Sequence, residues 1–270
     1  MAVQSGLISI MNKAARKAAP KLRRDFGEVE QLQVSRKGPG DFVSVADKRS
    51  EATIVDELRY ARPDWGLLLE EGGEIEGDPA KPRWIVDPLD GTTNFLHGIP
   101  HFSISIAVEE RRPGGRSEIT QALVYQPITD ESFWAERGRG AWLHDRRLRV
   151  SGRRNLDEAV IGTGIPHLGR SDAARWTRIY GALAGEVAGI RRMGAASLDL
   201  AWLAAGRFDG FWEDDLDLWD TAAGMLLVRE AGGFISDFRG QDRMNERREY
   251  LAANGELQTK LHKLVAGALR

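Results

Sequence analysis

The chain has 270 residues, with 38 Lys and Arg against 40 Asp and Glu and a formal net charge of −2. That balance gives no global attraction to nucleic acid or to acidic membranes, so recognition has to be local. Cysteine is absent, which excludes disulfides and thiolate metal sites, and the five histidines (His97, His101, His144, His167, His262) form no metal-spaced pair, which favours a hard, oxygen-bound cation over zinc.

Val3, Leu7, Ile10, Met11, Ala14, Ala18 and Leu22 recur at helical spacing and predict an amphipathic first helix with basic residues on its other face. Pro20 should kink or end it. Its apolar core, Leu7 to Met11, is too short to span a membrane and has no basic residue ahead of it, so with the lack of cysteine a cytoplasmic location is expected. A break at Lys37-Gly38-Pro39-Gly40 leads to a short strand and a second helix over Lys48–Tyr60, closed by Pro63. Strands are predicted at Leu67–Leu69, Trp84–Val86, Ser103–Val108, Ile119–Tyr125 and Glu131–Trp134, with hairpin-like, antiparallel turns between the later ones. The basic run Arg146–Arg154 opens a second half. It holds a strand at Ala159–Thr163, helices at Asp172–Leu183, Ala196–Ala205 and Met225–Ala231, a strand at Phe234–Ser236 and a last helix at Gly255–Leu269. Length allows one large or two modest domains.

The richest segment is Trp84-Ile85-Val86-Asp87-Pro88-Leu89-Asp90-Gly91-Thr92-Thr93-Asn94-Phe95. A buried strand runs into Asp87-Pro88, where proline holds the aspartate extended, so a helix cannot begin before Asp90. Two carboxylates and a helix opening then suit a metal-bound phosphate. The same residues suit an Asp turn followed by a helix cap, and the segment alone leaves both readings open. Further acids fall at comparable places: Glu70 and Glu71 follow Leu67-Leu68-Leu69, and Asp220 precedes the Met225 helix. Carboxylates gathered in one pocket repel by a few kcal/mol for each close pair at an effective dielectric of about 20. Mg²⁺ or Mn²⁺ would relieve that repulsion.

Asp87-Pro88-Leu89-Asp90-Gly91-Thr92-Thr93-Asn94-Phe95 together with Trp219-Asp220-Thr221-Ala222-Ala223-Gly224 resembles the two signatures of the inositol monophosphatase family, within the lithium-sensitive, Mg²⁺-dependent phosphatase superfamily. Gly40–Asp47, Glu70-Glu71, His97–Ser105 and Gly206–Glu213 extend the resemblance over nearly the whole chain. It implies a layered α-β-α-β-α sandwich of the α/β class, of the inositol monophosphatase and fructose-bisphosphatase type. An N-terminal α+β half (1–152) carries most ligands and a C-terminal α/β half (153–270) completes the site. It implies hydrolysis of a small phosphate monoester by water activated at two or three Mg²⁺. Glu70, Asp87 and the Leu89 carbonyl hold the first ion, Asp87, Asp90 and Asp220 the second, with a weaker third at Glu70. Thr92 and Glu70 position the water and Asp47 polarises Thr92. Lys37, or Arg36 in a shifted alignment, is the implied basic residue beside the loop. Read alone, Asp47 is an N-cap for the Lys48 helix. Family membership also implies a homodimer.

On the substrate side the resemblance points to Asp90, Gly91, Thr92, Gly194, Ala195, Ala196 and Glu213, with Glu213 accepting from the hydroxyls of a polyol, which favours inositol monophosphate. Alanine at 195 departs from the family's serine or threonine, and Asp214, Asp215 and Asp217 form an acidic loop that should repel a second phosphate unless its side chains point to solvent. Histidinol, sugar and nucleotide monophosphates stay open. A different reading, by resemblance to bacterial family members, is a binding partner of the transcription machinery through Arg146, Arg147, Arg149, Arg153 and Arg154, or through Arg191-Arg192; as a bland alternative these are a solvated face or inter-domain ion pairs. His97 and His101 read as structural histidines, and Trp202, Trp212 and Trp219 as core.

Overall fold

The computed structural model describes residues 4–26, 34–38, 41–111, 117–166 and 172–270, with 34–38 and 41–44 as backbone. In chain order the elements are α1 (Gly6–Phe26), β1 (Val34–Gly38), β2 (Asp41–Ser44), α2 (Val45–Ala61), β3 (Gly66–Leu69), β4 (Gly73–Ile75), β5 (Arg83–Asp90), α3 (Thr92–Leu96), β6 (Ser103–Arg111), β7 (Ser117–Gln126), β8 (Glu131–Glu136), β9 (Gly140–Leu143) and β10 (Arg146–Arg147). There follow β11 (Val160–Thr163), α4 (Ala173–Ala184), β12 (Gly189–Arg191), α5 (Ala196–Ala204), β13 (Gly210–Asp214), α6 (Leu218–Glu230), β14 (Phe234–Ser236), α7 (Met244–Arg247), β15 (Glu249–Ala253) and α8 (Gly255–Ala268).

An eight-stranded sheet runs β10-β9-β8-β7-β6-β5-β3-β4 and a five-stranded sheet runs β12-β11-β13-β15-β14. Helices α1 and α2 pack on the outer face of the first sheet, α5 and α6 lie between the sheets, and α4 and α8 cover the outside of the second. The expected α-β-α-β-α sandwich is therefore present. Its middle layer is apolar in both directions: Leu198, Leu200, Ala223 and Leu227 join Val124 and Phe133 of the first sheet to Phe211 and Ala252 of the second in one core. Hydrophobic residues all round a helix belong to one buried on every side.

The β6, β7, β8 and β9 pairings are antiparallel as predicted, whereas β3 runs parallel to β5, and β11 parallel to both β12 and β13. Two expectations change. Helix α1 does not end at Pro20; the proline sits on the exposed face, where water can serve the carbonyl its missing N–H leaves unbonded. The helix expected from Met225 already begins at Leu218, because the Asp220 carboxylate reaches back to accept the Asp217 N–H at 2.7 Å and completes a capping box. Asp220 is thus inside a first helical turn rather than ahead of it.

Candidate metal and phosphate site

Asp87 and Asp90 lie three residues apart in a strand, which in regular pleat would send them to opposite faces. A bulge removes the difficulty. Asp87 faces Ser105 of β6 while Asp90 faces Ser103, so three steps on β5 span two on β6, and the irregularity falls where Pro88 cannot donate to the ladder. The strand continues through Asp90, so the helix does not open there as expected. Gly91, in the left-handed region at φ 91, makes the turn into the five-residue α3. A β-carbon at Gly91 would come within 3.0 Å of the His101 carbonyl, so the position needs glycine for space as well as for φ.

Neighbouring elements bring the other acids to this bulge. Glu70 follows β3, whose parallel register with β5 sets Leu69 beside Val86, and the Glu70 N–H donates to the Val86 carbonyl at 3.2 Å. Ser105, across from Asp87, donates through Oγ to the Trp219 carbonyl at 3.2 Å and so fixes the backbone next to Asp220. The Asn94 amide bonds the carbonyls of His101 and Met193, both at 2.7 Å, and ties the β5–α3 turn to the segment leading into α5.

Asp47 is fully buried in the first turn of α2 and its carboxylate accepts from Thr92 Oγ1 at 2.9 Å. Because α2 begins at Val45 rather than Lys48, Asp47 lies inside the first turn and is not its N-cap, and its carboxylate makes the contact with Thr92 that the resemblance implied. Thr92 Oγ1 is also 3.1 Å from the Leu89 carbonyl, but a hydroxyl has one proton. Donation to the carboxylate is the stronger choice. It leaves both the Leu89 carbonyl and the Thr92 lone pairs facing the site.

Electrostatics show how crowded the acids are. Burial, then the charges of Glu70, Asp90 and Asp220, holds the Asp87 carboxyl well above its usual range. Asp220 is also pushed well up, by burial and then by Asp90 and Glu70. Asp90 is raised by burial, against the lowering effect of hydrogen bonds from Ser197. Among the described residues no three His, Cys, Asp or Glu side chains stand as a ready-made metal cluster. Each carboxylate is instead turned to a protein donor: Asp87 to the Leu89 N–H at 2.9 Å, Asp90 to Ser197 at 2.6–2.7 Å, and Asp220 to the Asp217 N–H. Three buried carboxyls held above their usual range, Glu70 and the Leu89 carbonyl are an all-oxygen donor set, the chemistry that Mg²⁺ or Mn²⁺ takes. Lys37 lies outside the described side chains.

On the substrate side, Glu213 at the end of β13 is held well above its usual range by burial, then by Asp199 and Asp90, against Arg192. Gly164 passes directly beneath it: a β-carbon there would lie 1.7 Å from Glu213 Oε1. Gly164→Ala is expected to displace this carboxylate without unfolding the chain, since only a side-chain tip must move. Losing hydrogen bonds to a charged acceptor, at about 1.5–3 kcal/mol, should raise KM for a polyol phosphate about tenfold or more and leave KM for a simple aryl phosphate unchanged. Steady-state kinetics on both substrates checks this.

The acidic loop is not the bare negative surface expected of it. Arg175 pairs with Asp214 at 3.2 Å and with Glu249, and Arg248 bonds Asp217 at 2.7 Å and Asp215 at 3.1 Å. Repulsion of a second phosphate therefore does not follow from these residues. Gly194 (φ 88), the buried Ala195 and Ala196 form the turn into α5, and a β-carbon at Gly91 would lie 3.1 Å from that of Ala195. His101 is the satisfied structural histidine anticipated, with Nε2 at 2.9 Å from Asp199 Oδ1, its ring edge-on to Trp202, and burial taking its pKa down to about 4. His97 is exposed. Ser103, Ser105, Ser197 and Asp199 were not singled out from the sequence. The signal was there in the alternating serines of Ser103-Ile104-Ser105, which face the two aspartates across the ladder.

Comparisons with known proteins agree with this geometry. The model of the inositol monophosphatase family matches residues 4–270. The chain is 55% identical over 262 residues to the inositol-1-monophosphatase of Rhizobium meliloti, covering 97% of each, and 46% identical over 252 residues to the Nus factor SuhB of Pseudomonas aeruginosa, covering 92% of this chain and 91% of the relative. The crystal structure of the extragenic suppressor protein suhB from Bartonella henselae superposes with a TM-score of 0.92 at 50% identity, covering 97% of this chain and 98% of that one.

Proposed function

From the premise that the chain belongs to the inositol monophosphatase family, we propose that it hydrolyses inositol monophosphate with Mg²⁺ held at the β5 bulge. That it is a phosphoric monoester hydrolase follows from the family and from relatives of this identity. The observation that carries the site assignment is the convergence at the β5 bulge of buried acids from distant parts of the chain: Glu70 bonded to the Val86 carbonyl through its N–H, Asp87 and Asp90 on the bulge, and Asp220 close enough that its charge acts on Asp87.

Glu70, Asp87, Asp90, Asp220 and the Leu89 carbonyl would hold the ions. When bound, they supply Lewis-acid activation of water and neutralise the charge of the phosphoryl and leaving oxygens, the kind of assistance a reaction needing up to about 10²¹-fold acceleration requires. The chain's own residues position the reactants. Asp47 keeps the Thr92 proton, so the threonine oxygen can accept one hydrogen from the attacking water, and Glu70 accepts the other. Glu213 orients the ring through its hydroxyls while Gly91, Thr92 and the turn Gly194-Ala195-Ala196 line the phosphate side.

A phosphate-release screen with Mg²⁺ over inositol, sugar, nucleotide and histidinol monophosphates tests the substrate. Inositol monophosphate should be turned over with the highest kcat/KM; at least tenfold preference for another class would replace it. The same proposal takes in Mn²⁺ as a substitute ion, lithium sensitivity, a homodimer, a cytoplasmic location and a boundary between halves near Gly152. Among the described residues no helix is long and apolar enough to cross a membrane.

Several relatives carry the name Nus factor SuhB, which favours a second reading, a contact with the transcription machinery. Arg146, Arg147, Arg191 and Arg192 are exposed, whereas Arg153 is spent on an ion pair with Asp209 at 3.1 Å. A pull-down of transcription components that survives removal of Mg²⁺ would support it.

A further inference from the structure

Helix α5 begins without a capping side chain. Ala195 occupies its N-cap in extended conformation (φ −146) and its side chain can accept nothing, so the first-turn N–H groups need another partner. That partner comes from the other sheet. Asp90 Oδ2 accepts from the Ser197 N–H at 2.7 Å and from Ser197 Oγ at 2.6 Å, and the Leu198 N–H also serves this carboxylate. Ser197 is fully buried, and its Oγ lies 2.9 Å from Ser103 Oγ. Because the carboxylate can only accept, the hydroxyl protons order themselves: Ser103 donates to Ser197, which donates to Asp90. Ser103 is in turn the residue facing Asp90 across the β5–β6 ladder.

We propose that Ser197 is a positioning residue for the reaction: by donating twice to Oδ2 of Asp90 it commits that oxygen to the protein and turns Oδ1 toward the cation and substrate. The inference rests on the reading of Asp90 as a metal ligand. Oriented carboxylates bind a cation without first losing rotational freedom, and partners of this kind are worth about 10–100-fold in metal affinity. It also explains why alanine is acceptable at 195. A serine or threonine there would offer a local acceptor for the same N–H groups and compete with Asp90 for them.

Calorimetric titration of Mg²⁺ into the full chain separates the cases, with Ser197→Ala, Ser103→Ala and Asp90→Asn beside the parent and with melting temperature recorded for each. Ser197→Ala should bind Mg²⁺ about tenfold or more weakly and lose kcat at subsaturating Mg²⁺, recovering part of it at high Mg²⁺. Ser103→Ala, which leaves the donation to Asp90 in place, should stay within about threefold. A purely structural serine would lower the melting temperature of both variants and leave Mg²⁺ affinity unchanged; that result overturns the inference. If Asp90→Asn also binds Mg²⁺ like the parent, the metal reading of Asp90 fails instead. A weakened Asp90→Asn beside an unaffected Ser197→Ala rejects the role of Ser197 alone.

Discussion

Asp220→Asn is expected to cut phosphate release by about 10³-fold or more while leaving the fold intact. The magnitude follows from the proposed role: removing one preorganised electrostatic group from a water-excluded site costs about 10²–10³, and here the group lost is the proposed anionic ligand to the ion that would do the electrostatic work. Intact folding follows from what the side chain does for α6. Asparagine keeps an oxygen that can accept the Asp217 N–H, so the capping box survives, and the helix behind it is anchored by Leu226, Leu227 and Val228 in the shared core. The metal-free variant should melt above the metal-free parent, because a carboxylate disfavoured by burial and then by the charges of Asp90 and Glu70 has been replaced by a neutral amide. Higher stability with lost activity is the signature of a site that carries strain for function. A variant that loses both stability and activity would place Asp220 in the scaffold.

Stability of the metal-free protein should fall as pH rises through the folded pKa values of its buried carboxyls. The folded-state pKa values of Asp87, Asp90, Asp199, Glu213 and Asp220 are all raised, burial being the largest cause in each. A carboxyl with a raised folded pKa binds a proton in the native state that the unfolded chain has released. Its contribution is fully present below the unfolded pKa, near 4, and is lost as pH rises through the folded value. His101 opposes this only at lower pH: with its folded pKa at about 4, it destabilises the protein as pH drops below about 6.5. Each net proton retained by the native state changes stability by about 1.4 kcal/mol per pH unit, and for a chain of this size each kcal/mol is about 2–4 °C of melting temperature. Saturating Mg²⁺ should abolish the decline, because the ions take the place of the protons and bind the native state alone. Calorimetric melting over a series of pH values, with and without Mg²⁺, reads both slopes. Equal slopes would mean that the carboxylates do not answer to the cation.

Much of the fold was legible because its signals are local. The apolar period of α1, the strand runs of β3, β5, β6, β7 and β8 and the glycine-bounded last helix declare themselves within a window of a dozen residues. Elements whose boundaries depend on tertiary partners did not. Strand β15 (Glu249–Ala253) reads as an unremarkable Tyr-Leu-Ala-Ala run until β13 and β14 pair with it on either side. The start of α6 was hidden because Leu218-Trp219-Asp220 has no capping pattern unless Asp217 and Asp220 are recognised as a reciprocal pair. The acids of the site were legible for a different reason. Carboxylates at the ends of buried runs are costly unless something holds them, and that cost shows in one dimension. Their supports, Ser103, Ser105 and Ser197, are ordinary serines whose meaning comes from register across the ladder and from a helix that approaches from the far half. The pairing of Asp214, Asp215 and Asp217 with Arg175 and Arg248 was likewise invisible, since the arginines sit far away in sequence.

As proposed, Glu70 at the end of β3, Asp87 and Asp90 of β5 and Asp220 of α6 close on a shared divalent cluster. An anomalous difference map from crystals soaked in Mn²⁺ tests it most directly. The account predicts peaks ligated by Glu70, Asp87, Asp90 and Asp220, with the Leu89 carbonyl completing one of them. Ions bound elsewhere, with no peak beside Asp87, Asp90 and Asp220, would contradict it.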